Sequence, residues 1–353
     1  MPIIVNNIKP YHIIYNGVEA TLYHNGIKIW PEDSSAYKMK LLFRDNVTPT
    51  FSYGTGTQIT QSPNVWELEY NNKNWDQLLY NQRDLLEVIE CDSRGVSSMY
   101  GTFKNCSALT SLSLFDTSEV VDMDYTFEYC TSLSSIPTYD TSKVRTMNKT
   151  FRYCYNLQEI PNLNTSAVSS MDSTFSVCSA ITTIPQLDIS NVTSLSYTFE
   201  GCWSLESVPS LNTSAVIRMD DTFQSCFKLT AVSPLDLRST TTTKAMFDAC
   251  TSLSSAPTLN NMQSVRTARD MFTLCSSLQY VPLYDTTNMV DVDSMFSDCF
   301  AVTGGALALY NQMTAQANPP TAHTGTFFRC GTATPQGRAE LAQIPYIWGG
   351  TST

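Results

Sequence analysis

Ten times between Phe103 and Cys330 the sequence writes Phe-x-x-Cys, and the first seven of these cysteines, Cys106 to Cys250, fall 24 residues apart each time. A fixed period of this length makes each repeat one supersecondary unit that cannot bury its apolar side alone and must stack on its neighbours. The pattern therefore predicts a solenoid, with function on its long outer faces or at its two ends instead of in a closed cleft. A solenoid grows by stacking, so 353 residues need not divide into two or three ordinary cores.

Aligned, the copies read L-x-x-[IV]-P-x-x-[DN]-T-S-x-V-x-x-M-x-x-T-F-x-x-C, with Leu133, Ile136, Pro137, Asp140, Val144, Met147, Phe151 and Cys154 as one clean example. Phe127, Phe151, Phe175, Phe199 and Phe223 form one ladder, and Cys130, Cys154, Cys178, Cys202 and Cys226 a second. The proline-punctuated stretch from the leucine to the Asp/Asn fits a brief strand, paired with its copy in the next rung about 4.8 Å away. The apolar residues of Val-x-x-Met-x-x-x-Phe-x-x-Cys are spaced 3, 4, 3, which puts them on one face of a helical turn or short helix. Each rung is then read as a short strand plus a short helix, an α+β repeat solenoid.

The Asp/Asn column, including Asp116, Asp140, Asn164, Asp188 and Asn212, invites a calcium ladder. Asparagine interrupts it repeatedly, and a hard cation loses much of its attraction when a carboxylate becomes an amide. Asp or Asn before Thr-Ser is better read as a turn cap that accepts backbone N–H groups. The eleven cysteines include no C-x-x-C pair, which removes the usual zinc and thioredoxin patterns. Their regular column reads as free thiols buried as small hydrophobes. No cofactor and no metal are implied.

The formal net charge of -11, with 21 basic against 32 acidic residues, argues against a nucleic-acid partner. No run of about 18 apolar residues is present, so no membrane insertion is expected, and residues 1–16 carry no secretory pattern.

The run Phe115-Asp116-Thr117-Ser118-Glu119-Val120-Val121-Asp122-Met123, followed by Thr126-Phe127-Glu128-Tyr129-Cys130, resembles the BspA-type leucine-rich repeat of bacterial surface proteins. The likeness extends from Leu85 to Cys299. It implies a leucine-rich-repeat solenoid and a role in adhesion to host proteins or glycans, and similar repeats occur in proteins of bacteriophages. The flanks favour a phage setting. Asn16-Gly17 and Asn25-Gly26 read as hairpin turns of a small β-meander, similar to modules at the start of virion proteins. Residues 1–32 are therefore expected to be a virion-attachment module, 33–84 a cap and linker, 85–302 the solenoid, and 303–353 a helix, a last partial repeat and a cap. Trp75, Leu78, Leu79 and Leu85 are expected to cover the open end of the stack. Gly304 to Met313 reads as an amphipathic helix, and Leu341 to Pro345 as a returning strand.

No catalytic constellation is visible, because His12, His24 and His323 form no motif and no cysteine in the repeats has a histidine beside it in the pattern. Candidate binding residues are the aromatics at variable repeat positions: Phe115, Tyr139 and Tyr284 beside the Asp column, and Tyr129, Tyr153, Tyr155, Trp203 and Phe227 around the cysteines. Such rings stack on sugars or anchor protein contacts. The sequence reading is thus a non-enzymatic virion fibre or decoration protein. Its expected partners are other virion proteins, a host-surface glycan or protein, and a further copy of itself. The alternatives are a bacterial surface adhesin and a purely structural scaffold.

Overall fold

The computed structural model describes residues 14–15, 18–19, 22–24, 27–29 and 37–351, apart from 52–53, 62, 71–73 and 161. Among these residues the chain is a repeat protein of short strands with few helices. Two short antiparallel pairs flank the Asn-Gly sites near the start: β1 (Ile14–Tyr15) with β2 (Val18–Glu19), and β3 (Leu22–His24) with β4 (Ile27–Ile29). The Asn-Gly turns themselves lie outside the described residues.

From Asn74 onward each repeat carries a run of consecutive turns, and residues 123–130 show its logic. The N–H groups of Met123, Tyr125, Phe127 and Tyr129 donate to the carbonyls of Thr146, Asn148, Thr150 and Arg152 in the next repeat, at 2.8–3.1 Å. Those of Thr126, Glu128 and Cys130 donate three residues back, to Met123, Tyr125 and Phe127, at 3.0–3.2 Å. Successive amides therefore alternate between closing a turn and binding the neighbouring repeat. Left-handed residues spaced four apart make this possible: Tyr125 and Tyr129 (φ 60° and 62°), Lys149 and Tyr153 (57° and 63°), Ser173 and Val177 (57° and 59°).

Among the described residues the short helix expected in each rung is absent, and this turn ribbon stands in its place. A helix would direct its N–H groups to carbonyls four residues back, whereas here every second amide bonds across to the next repeat. Both arrangements carry residues spaced 3, 4, 3 on one face, so the spacing alone does not separate them. The strand expected between the leucine and the Asp/Asn also forms in only part of the stack. β10 (Ser207–Val208) pairs in parallel with β11 (Ala231–Val232), and β12 (Leu235–Asp236) with β13 (Leu259–Asn260). The consensus proline, as at Pro137 and Pro209, lacks the N–H that would extend the pairing. The continuous parallel column runs just ahead of the methionine position, from Asn74 through Ser98, Asp122 and Ser170 to Ala322.

The core is a set of ladders. Ring centroids of neighbouring phenylalanines from Phe103 to Phe327 are 5.2–6.2 Å apart, with planes within 13° of parallel, and every member is buried. Rings repeated at the rung spacing fall into this offset stacking, which adds to the burial of each ring. All eleven cysteines are free, and ten of them are buried. Cys130, Cys154 and Cys178 each direct Sγ at the phenylalanine carbonyl of the preceding repeat, at 3.0–3.2 Å. Burial pushes these thiols up, Cys106 to about 12.

Both ends are closed by different means. At the start, β5 (Tyr37–Phe43), β6 (Thr55–Gln61), β7 (Asn64–Tyr70), β8 (Leu85–Cys91) and β9 (Ser111–Leu112) form one sheet in the order β6-β7-β5-β8-β9. The parallel β8–β9 pair joins this sheet to the stack. Trp75, Leu78, Leu79 and Leu85 are buried here, and Trp75 and Leu79 begin the turn ribbon by donating to Ser98 and Thr102. At the other end α1 (Ala306–Thr314) is met by α2 (Pro335–Leu341), whose Glu340 accepts from the N–H groups of Gly305 and Leu307. Residues 341–345 end α2 and turn instead of forming a strand. The carbonyls of Ile347 and Trp348 then accept from Gly325 and Phe327 of the last repeat.

Candidate interaction surface

The turn ribbon directs some of its side chains outward and others inward, and this decides which aromatics are available. Tyr129, Tyr155, Trp203 and Phe227 are exposed, Trp203 to 47%. Tyr153, half-buried, stacks on Tyr129 with centroids 4.4 Å apart and lies 6.0 Å from Tyr155. Trp203 and Phe227 stack at 6.4 Å. The Arg152 guanidinium sits 4.6 Å from the Tyr153 ring, which gives the first cluster a cationic edge. Lys104 and Lys149 lie over Tyr125 at 4.6 and 4.9 Å on the same face. Rigid rings on a repeating backbone need little ordering on contact, which favours binding.

Phe115, Tyr139 and Tyr284 do not belong to this surface. They are 3–6% exposed and face inward. Phe115 packs between Trp75 and Tyr139, while the Tyr284 hydroxyl donates to the Pro257 carbonyl at 2.7 Å and its ring stacks on Phe272. The same column holds Leu163, Leu187, Leu211 and Leu235, all buried. That leucine pattern is the sequence signal that marks the position as core.

The Asp/Asn column acts on the backbone. Oδ1 of Asp116, Asp140, Asn164, Asp188 and Asn212 accepts the N–H two residues on, at 2.9–3.3 Å. These bonds, with the Ser190 hydroxyl first at Asp188 and the Ser142 N–H first at Asp140, hold both carboxyls below their usual range. The adjoining buried threonines Thr117, Thr141 and Thr165 donate to the carbonyl of the next column member at 2.8–2.9 Å. Among the described residues no group of three or more His, Cys, Asp or Glu is placed to hold a metal ion.

A further ladder was missed in the sequence. The residue after the methionine accepts from the next repeat: Asp124 takes the Thr146 hydroxyl and the Asn148 N–H, both at 2.6 Å, and Asn148 takes the Ser170 hydroxyl at 2.6 Å. The recurring Met-Asp/Asn pair was its signal. Tyr125, Lys149 and Tyr197 on the exposed face were likewise passed over, because nothing in a helical reading marks a left-handed position.

An apolar cavity of about 300 Å³ at the C-terminal end is lined in part by Phe328, Leu341 and Tyr346. His323 is stacked on Trp348 with centroids 4.1 Å apart.

The family model described as "Mycoplasma protein of unknown function, DUF285" matches residues 73–184, 97–207, 170–281 and 193–307, which together cover about two thirds of the chain. The comparison with curated proteins finds no match.

Proposed function

We propose that this chain, which belongs to the DUF285 family, is a non-enzymatic, leucine-rich-repeat-like solenoid, displayed on a phage particle, whose turn face binds a host-surface molecule or another virion subunit. The observation that carries this reading is the ridge formed by Tyr129, Tyr153, Tyr155, Trp203 and Phe227, held outward on a hydrogen-bonded stack. A non-enzymatic role agrees with the thiol chemistry, because cysteines whose burial raises their pKa are poor nucleophiles. The paired strands β1–β2 and β3–β4 agree with a docking module in residues 1–32.

The second reading, a bacterial surface adhesin of the same architecture, is favoured by the family description, which names a bacterial genus. Cryo-electron microscopy of particles and of envelopes separates the two, since density for the stack is expected on one carrier. For the binding role itself, labelled full-length chain is incubated with intact cells and purified particles. Retention should fall at least about tenfold in a Tyr153→Ala/Trp203→Ala variant that keeps its melting temperature. Equal retention would overturn the turn-face reading.

A further inference from the structure

Down the stack, the position after each ladder phenylalanine reads Lys104, Glu128, Arg152, Ser176, Glu200, Gln224, Asp248. Within one chain these side chains contact their neighbours in the column. Glu128 lies 2.6 Å from Lys104 and 3.5 Å from Arg152, the Ser176 hydroxyl donates to Glu200 at 2.7 Å, and Gln224 donates to Asp248 at 2.9 Å. The end before Ser176 holds two cations against one carboxylate. The end after it holds two carboxylates and no cation.

A half-turn about an axis that lies in the plane of the face and crosses the stack at the Ser176 rung exchanges these ends. It brings Arg152 opposite Glu200, Lys104 opposite Asp248, and Glu128 opposite the Gln224 amide, so no like charges meet along the column. Each left-handed column then faces its own copy in reverse, which sets Lys149 opposite Tyr197 and Tyr125 opposite Asp221 in one column, and Tyr153 opposite Gly201 and Tyr129 opposite Ser225 in the other. At the centre Ser173 and Ser176 are buried, and the half-buried Val177 and Ser179 are small, which leaves room for close approach.

We propose that this face binds a second copy of the chain, in an antiparallel two-fold dimer centred on Ser176. The inference rests on the turn face being the interacting face, as proposed above, and names its partner. A self-complementary patch of this kind is what an isologous dimer requires.

The test is sedimentation of the full-length chain and of two charge reversals, Arg152→Glu and Glu200→Arg. The wild type should dimerise, and each variant alone should show a dimer dissociation constant at least about tenfold weaker, because like charges then face each other twice. In an equal mixture of the two variants, both contacts between position 152 of one chain and position 200 of the other again join an acid to a base. The mixture should therefore form a heterodimer within about threefold of the wild-type affinity. This rescue also controls for misfolding. A monomer at every concentration, or a dimer indifferent to both reversals and to mixing, would overturn the proposal. A monomer whose retention on cells or particles still depends on Tyr153 and Trp203 would sink the dimer and leave the wider reading standing.

Discussion

Removing one rung of the phenylalanine ladder, Phe175→Ala, probes how the stack is held together. Phe175 is fully buried, with Phe151 at 5.5 Å and 4° on one side and Phe199 at 5.7 Å and 7° on the other. A buried Phe→Ala change costs about 3–5 kcal/mol from lost transfer energy and the cavity left behind. Each stacked aromatic pair accounts for about 0.5–1.5 kcal/mol of that. Phe327, buried at the last repeat, stacks on Phe296 at 6.2 Å on one side, so Phe327→Ala should be milder by about one such pair. Urea unfolding of both variants gives the difference. Hydrogen exchange adds location, since a stack with nearest-neighbour coupling should open on both sides of a missing rung. A loss below about 1 kcal/mol for Phe175→Ala, or equal losses at the two positions, would refute the ladder as the main tie between repeats.

Three further outcomes follow from the same geometry. Val177 is β-branched at φ 59°, so Val177→Asn, which suits a left-handed position, should raise stability by about 1 kcal/mol, measured by thermal melting; a loss would show that packing outweighs the strain. A thiol reagent such as Ellman's should label at most the half-buried Cys91 in the native chain and all eleven cysteines in denaturant; rapid native labelling of several thiols would contradict the buried column. Asp221 is raised to about 6 by burial, so the folded state holds a proton that the unfolded state has released, and stability falls as pH rises from about 4 to 6. Asp221→Asn should therefore stabilise the chain above pH 6 and make no difference below about pH 4, in melts across that range.

The columns of the core could be read from the sequence because the period fixes which residues face each other. Phe127 and Cys130 needed nothing more than 24-residue bookkeeping, and the capping role of Asp140 followed from the Thr-Ser after it. The backbone path was not legible. Met123, Phe127 and Cys130 share a face in a helix and in a turn ribbon alike, and the difference lies in φ at Tyr125 and Tyr129, where tyrosine carries no left-handed signature of the kind glycine would. The same blindness placed Phe115, Tyr139 and Tyr284 on the surface. Their own repeats show exposed-looking aromatics beside a polar column, while the leucines at 163, 187 and 211 show the position to be interior. The Asp124–Thr146 contact joins residues 22 apart by side-chain hydrogen bonding, which a reading built on apolar periodicity does not register.

Hydroxyl-radical footprinting tests the working face most directly. The dilute free chain would be compared with the chain in its assembled or surface-bound form, with oxidation followed residue by residue. Tyr129, Tyr155, Trp203 and Phe227 should become protected on association. Leu114, Tyr280 and Leu283, exposed and away from the turn ribbon, should stay as reactive as in the free chain. Protection confined to Leu114, Tyr280 and Leu283, with the turn-face aromatics unchanged, would contradict the claim that this protein works through its turn face.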